Sequence, residues 1–233
     1  MLNSAKGNPT MNNTTSNTIT PSHVPSSHAA SNDAAQVSES KHWKNLQPKD
    51  WIGVGVYAVV YFVLVYAFGT IGYIPFVYPF CGLLYGLFCQ IPVLLLATKV
   101  RHFGALTLLG TLCGLVSGLE LPSMIPAGII CGLLADLIAM RGSYRNKTTL
   151  ILSTGMLNLM WFGGSYILIY MNRSSMLGQI SQGYGADYAN TVSALLPQWT
   201  AIVMPIAMFI AGCIGGWLAL KVMRKHFERA GLV

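Results

Sequence analysis

Charge is what this 233-residue chain most lacks. Only 9% of its residues are Asp, Glu, Lys or Arg, while 53% are hydrophobic. A soluble domain carries about 25% charged residues, so an ordinary soluble globular protein is excluded. Disorder of the whole chain is excluded too, because disorder needs few apolar residues and many charges. Recognisable catalytic patterns are also missing. The sequence holds no H-E-x-x-H and no G-x-x-x-x-G-K-[ST] loop, so it carries neither a zincin site nor an ATPase site of its own. None of the five histidines falls within an apolar run, and Asp136 is the one carboxylate inside such a run. An intramembrane serine protease needs a Ser and a His at depth, and an aspartyl protease needs two carboxylates sharing a proton. Cys81, Cys89, Cys113, Cys131 and Cys213 are scattered, with no pair at C-x-x-C spacing. They read as small buried hydrophobes. No enzyme activity, cofactor or metal is expected.

What the chain does have is a succession of apolar runs. Trp51 to Thr98 contains no charged residue, which is too long for one membrane crossing of about 20 residues. The Gly69-Thr70-Ile71-Gly72-Tyr73-Ile74-Pro75 stretch breaks it, giving helices over Trp51–Gly69 and Pro75–Thr98. Pro79 and Pro92 predict a kink or break in the second. Further helices are expected over Phe103–Leu119, Ser123–Met140, Thr148–Asn172 and Gln198–Leu220. The fold class is therefore an all-α integral membrane protein with six transmembrane helices. Residues 1–40 contain nineteen Ser, Thr or Asn and read as a disordered polar tail. The six-helix membrane domain covers 41–233, and Trp43, Lys44 and Lys49 suit a membrane interface.

The charges set the topology. Six helices put Lys41, Lys44, Lys49, Lys99, Arg101, Arg141, Arg145, Lys147, Lys221, Arg224, Lys225 and Arg229 on the side of the N-terminus, and Arg173 alone on the other. Positive charge stays cytoplasmic, so both termini are expected inside, in a multi-pass bacterial cell-membrane protein. The net charge of +7 then serves orientation and contact with anionic lipid, and nothing calls for nucleic acid. Asp136 lies about 7 Å, five residues at helical rise, from the basic boundary. It reads as a partner of Arg141 or Arg145, or as a cap for the loop, ahead of a proton relay.

The candidate site lies in the fifth helix and the segment after it. Asn158 and Trp161 are three residues apart and share a helix face, with Tyr166 partly off it. One amide to fix orientation and aromatics to supply area suit a pocket floor, although helix packing and an interfacial aromatic belt explain the same residues. The outer segment Arg173–Pro197 is polar and Gly-rich. Its Ser181-Gln182-Gly183-Tyr184-Gly185-Ala186-Asp187-Tyr188 stretch suits a lid over a small ligand or an interfacial loop.

Several segments in order carry a family resemblance. They are Gly72-Tyr73-Ile74-Pro75 with Tyr78-Pro79, Thr98-Lys99-Val100 with Phe103-Gly104, Gly132-Leu133-Leu134-Ala135-Asp136-Leu137-Ile138, Gly183-Tyr184-Gly185-Ala186-Asp187-Tyr188-Ala189 with Pro197 and Trp199, and Lys225-His226-Phe227-Glu228-Arg229-Ala230-Gly231. From about Leu46 to Val233 the chain resembles the MptD family of ECF transporter S components, also called the Trep-Strep family. The resemblance implies a six-helix subunit that captures a vitamin-like micronutrient near the outer face. It implies partners as well, a transmembrane T component and two ABC-type ATPases, which drive translocation. Substrate-binding candidates are Asn158, Trp161, Tyr166, Tyr184, Asp187, Tyr188 and Trp199. S components meet the T component through small residues four apart on helix 1. Here Gly53, Gly55 and Ala58 are small but lack that spacing, and they are the candidate coupling residues. The alternative is a solitary membrane facilitator or an assembly factor acting without an ATPase.

Overall fold

The computed structural model describes residues 48–229, with side chains from 51 to 225. The expected tail over 1–40 and the interface residues Trp43 and Lys44 lie outside the described residues, as does the side chain of Lys49. The described residues are helical throughout, with short turns and no strands. Helix α1 is Pro48–Gly69, α2 Cys81–Phe88, α3 Gln90–Val100, α4 Ala105–Ser117, α5 Met124–Arg141 and α6 Lys147–Trp161. Beyond them come α7 Ile167–Met171, α8 Arg173–Tyr184, α9 Ala186–Leu195 and α10 Thr200–Arg229. Five stretches are long and apolar enough to cross a membrane: Trp51–Tyr73, Tyr78–Val100, Met124–Arg141, Lys147–Met171 and Thr200–Lys225. The apolar helix Ala105–Ser117 is shorter, at 13 residues.

Three boundaries differ from the sequence expectation, each for a local reason. The second crossing enters through a short helical turn, Tyr78–Phe80, and not at Pro75. It then breaks at Cys89. The break makes Pro92 the third residue of α3, inside a first turn whose backbone N–H groups need no intrahelical partner. The Lys147–Met171 stretch loosens into a π-helical turn over Phe162–Tyr166, where Gly163 and Gly164 weaken the regular ladder. The outer segment Arg173–Pro197 is a helical hairpin, α8 and α9, and not a loop. Its turn is Gly185, at φ +95° and ψ +159°, a conformation open essentially to glycine alone. Gly183 sits inside α8 with open space around it.

Glycines decide how closely the helices approach. Gly110 and Gly114 stand four apart on α4, with Gly118 capping its end, and Gly128 and Gly132 stand four apart on α5. A Cβ at Gly114 would meet the Met124 carbonyl at 2.7 Å, and one at Gly110 the Gly128 carbonyl at 2.5 Å. The two backbones are therefore in direct contact. That is the packing expected where lipid removes the hydrophobic drive and close van der Waals contact replaces it. A second glycine seam joins α2, α6 and α10. A Cβ on Gly86 would meet Asn158 Nδ2 at 2.6 Å and the Gly212 N–H at 2.8 Å. Helix α1 is looser. Only 22% of its span is buried, against 56% of Tyr78–Val100 and of Lys147–Met171, and Val56, Val59, Val60 and Val63 are exposed.

Two apolar cores result. The larger takes Tyr61, Leu94, Leu96, Leu106, Leu109, Leu157 and Met160 among others. The smaller holds Tyr166, Ile169, Tyr170, Tyr188, Val192, Leu196, Met204 and Met208. The second is rich in tyrosine, and it lies under the α8–α9 hairpin.

Candidate functional site

The basic end of the bundle is built around Asp136, whose residue is 0% exposed. Its carboxylate accepts from the backbone N–H groups of Gly104 at 3.0 Å, Leu106 at 3.3 Å and Thr107 at 2.7 Å. The Thr107 hydroxyl donates to it at 2.6 Å and the Tyr144 hydroxyl at 3.0 Å. The first turn of α4 thus receives its cap from α5, across the helix interface. Orphan N–H groups at a helix start demand such an acceptor, and the helix dipole favours a negative one. Burial, and then the neighbouring Asp136 carboxylate, push the Tyr144 phenol well above its usual value, so it remains a donor. Tyr144 and Ser143 hold φ of +54° and +50°, a left-handed pair uncommon away from glycine. Arg141 and Arg145 are not what holds the carboxylate. The cap reading of Asp136 fits this geometry, and the arginine-pair reading does not.

The opposite end is built from tyrosines. Tyr166 donates to the Tyr78 carbonyl at 2.7 Å and accepts from the Gly82 N–H at 3.4 Å. Tyr188, on α9, donates to the Gly72 carbonyl at 2.5 Å, fastening the hairpin to the turn after α1. The rings form a continuous run. Tyr78 lies 5.7 Å from Tyr166 and 6.1 Å from Tyr188, Tyr188 stacks on Tyr184 at 5.0 Å, and Tyr184 lies 6.0 Å from Tyr73. Burial is the main reason the Tyr188 phenol is pushed well up, so it stays a neutral donor. The run grades from buried to open. Tyr166 and Tyr188 are buried, whereas Tyr184 is 56% and Tyr73 64% exposed. Arg173, the lone cation of this end, donates to the carbonyls of Leu196 and Ser193, both at 2.6 Å, and to the Ser193 hydroxyl at 3.0 Å. It caps the last turn of α9, where carbonyls are left without partners.

The seven predicted substrate residues fall into three settings. Tyr166, Tyr184 and Tyr188 come together in the ring run, with Asp187 exposed in the first turn of α9 beside them. Asn158 and Trp161 lie deeper and serve helix contacts. Asn158 is fully buried and donates to the carbonyls of Gly82 at 3.1 Å and Met208 at 2.9 Å. Its Oδ1 is buried without a partner among the described residues. Trp161 donates to the Tyr61 hydroxyl at 3.1 Å and packs 4.9 Å from Tyr85. Trp199 stands 66% exposed just before α10. The sequence reading missed Tyr73 and Tyr78, which complete the run. The signal was present in Gly72-Tyr73-Ile74-Pro75 and Tyr78-Pro79, quoted there only for the family.

The predicted coupling residues separate as well. Gly53 and Gly55 have nothing within 4 Å of a Cβ position, and Ala58 is buried. Gly55 and Ala58 line an apolar groove of about 340 Å³ between α1 and α4, with Val59, Phe62, Val63, Leu112, Cys113 and Val116. A second groove, between α2 and α10, is lined by Leu83, Leu87, Ala207 and Ile210 among others. None of the seven substrate candidates lines either groove. Among the described residues, no three His, Cys, Asp or Glu side chains come together as a metal site.

Helices of this length and apolarity, joined by short polar ends, define an all-α multi-pass integral membrane protein. The family model described as "Hypothetical bacterial integral membrane protein (Trep_Strep)" matches residues 48–229. The chain belongs to this family, the one its sequence resembles. No curated protein and no solved structure matches it.

Proposed function

We propose that this protein is the substrate-binding S subunit of an energy-coupling factor importer. It captures a small, vitamin-like molecule at its tyrosine end and is turned inward by a T component and two ABC-type ATPases. The observation that carries this reading is the ring run from Tyr78 to Tyr73, buried at one end, open at the other and roofed by the α8–α9 hairpin. A small-molecule site needs apolar area with a few convergent polar groups. This end supplies five rings, their hydroxyls and the exposed carboxylates of Glu120 and Asp187. The hairpin is anchored through α9, by the Tyr188 hydroxyl on Gly72 and by Val192 and Leu196 in the smaller core, while α8 buries none of its residues. That is the construction of a movable cover.

Two further features favour the reading. The weakly packed α1 presents the Gly55–Ala58 groove to the bilayer, a surface for a partner's helix. The basic residues Lys99, Arg101, Arg141, Arg145, Lys147, Lys221, Arg224 and Lys225 mark helix ends away from the tyrosines. This fits a topology with both termini inside. In this topology α4 adds a crossing to the five longer stretches, making six, and no catalysis by the chain itself is needed.

The test is purification of the tagged protein from its own host in mild detergent, with stoichiometry read by mass spectrometry. A T component and two ATPases arriving in equal proportion with the tagged chain are expected. Recovery of the chain alone, under conditions that keep a known S component with its partners, would overturn the energised mechanism. A solitary facilitator or an assembly factor would then take its place.

A further inference from the structure

The polar balance of the tyrosine end narrows what it can hold, if the capture reading above is right. Three charged side chains lie in the connections of that end: Glu120, Arg173 and Asp187. Two are matched by helix ends. Arg173 is committed to the final carbonyls of α9 by three hydrogen bonds of 2.6 to 3.0 Å. Asp187 occupies the first turn of that same helix, where the positive end of the dipole stabilises a carboxylate. Glu120 has no such match. It is exposed in the turn after α4, and among the described residues its carboxylate has neither a hydrogen bond nor an ion pair. It lies within electrostatic reach of the Tyr184 hydroxyl.

Tyr184 and Tyr73 are the exposed rings of the run, 6.0 Å apart and tilted by 52°. Two tilted tyrosine faces beside an unmatched carboxylate attract positive charge, since the face of an aromatic ring is its negative side. An anion would meet Glu120 and no available donor cation, because the guanidinium of Arg173 faces carbonyls.

We propose that the ligand taken at the tyrosine end is an organic cation, seated against Tyr73 and Tyr184 with Glu120 as its counter-charge. The inner members of the run, half-buried Tyr78 and buried Tyr188, then bound an apolar portion of the same molecule. The ligand class is an amine or quaternary ammonium attached to a planar or apolar body.

The test uses the full-length protein in neutral detergent and three one-ring probes: benzyltrimethylammonium, benzyl alcohol and benzoate. Saturation-transfer NMR reads binding, and titration gives relative affinity. Benzyltrimethylammonium is expected to bind best. Glu120→Gln and Tyr184→Ala should each weaken it about fivefold, the scale of one cation–π or partly exposed charge contact. Both positions are exposed, so the variants should fold, which their thermal unfolding midpoints check. Benzyl alcohol or benzoate binding at least as well, and weakening in Tyr184→Ala, would overturn the cationic class while leaving capture at this end standing. Binding of no probe, or binding of the cation that is indifferent to Tyr184→Ala, would overturn both.

Discussion

The two ends of the molecule solve the problem of polar groups near a bilayer in opposite ways. At the basic end one buried carboxylate gathers five donors, although the His102 Nε2 stays buried without a partner among the described residues. At the tyrosine end the hydroxyls are spread over backbone carbonyls of several elements, and two rings and a carboxylate are left facing outward. A fully satisfied buried network rigidifies its surroundings. A network with uncommitted groups retains the capacity to bind. The contrast gives the first end a structural role and, under the proposed function, leaves recognition to the second, although an acidic residue inside a membrane span would by itself suggest function.

That comparison can be broken by mutation. The largest effect is expected from Asp136→Ala, which strips the α4 cap and leaves three N–H groups and two hydroxyls without their acceptor. Hydrogen bonds to a charged group contribute about 1.5 to 3 kcal/mol each. A loss of at least about 3 kcal/mol is expected, seen as a sharp fall in the unfolding midpoint in detergent. An unchanged midpoint would remove the structural role of this end.

A smaller effect is expected from Tyr188→Phe. The ring stays in its stack, and one hydroxyl-to-carbonyl bond to Gly72 is lost, costing about 1 kcal/mol. Hydrogen exchange should quicken in α9 while the α4–α5 pair is unaffected. Equal quickening in both would mean that the hairpin is not a separate opening unit. The smallest stability effect is expected from Tyr184→Ala, within about 0.5 kcal/mol at a site more than half exposed. Its consequence should appear in ligand binding alone. A large loss of stability there would make the two ends alike.

How much of this could be read beforehand depended on the kind of signal. Long apolar runs and their charged borders are dense, local signals, so the class of protein and most helix positions were legible. The α8–α9 hairpin was not. Its first helix buries none of its residues, so no apolar stripe marks it. Tyr166, Tyr184 and Tyr188 were legible as aromatics near glycine turns. Their partner Tyr73 was not, because only the fold brings the turn after α1 under the hairpin. Asn158 shows a second role that spacing hides. A polar side chain in a membrane helix suggests a ligand, but here it donates to two backbone carbonyls on neighbouring helices, a use that sequence spacing cannot reveal. Helix α1 holds no small residues four apart. The pattern is in α4 and α5, where it sets backbone contact.

The brevity of α4 has a consequence for the membrane itself. Thirteen residues at helical rise cover about 20 Å, against about 27 Å for the eighteen residues of α5 beside it. A hydrocarbon layer is about 30 Å thick. In the proposed six-helix topology, hydrophobic mismatch on this flank requires the lipid to thin or headgroups and water to reach inward to the capped turn at Gly104. Each ångström of mismatch costs a fraction of a kcal/mol. That topology therefore gives the protein a local defect in bilayer thickness along one side. That side includes the groove between α1 and α4, so a neighbour that covered it would be favoured by relief of lipid deformation as well as by contact.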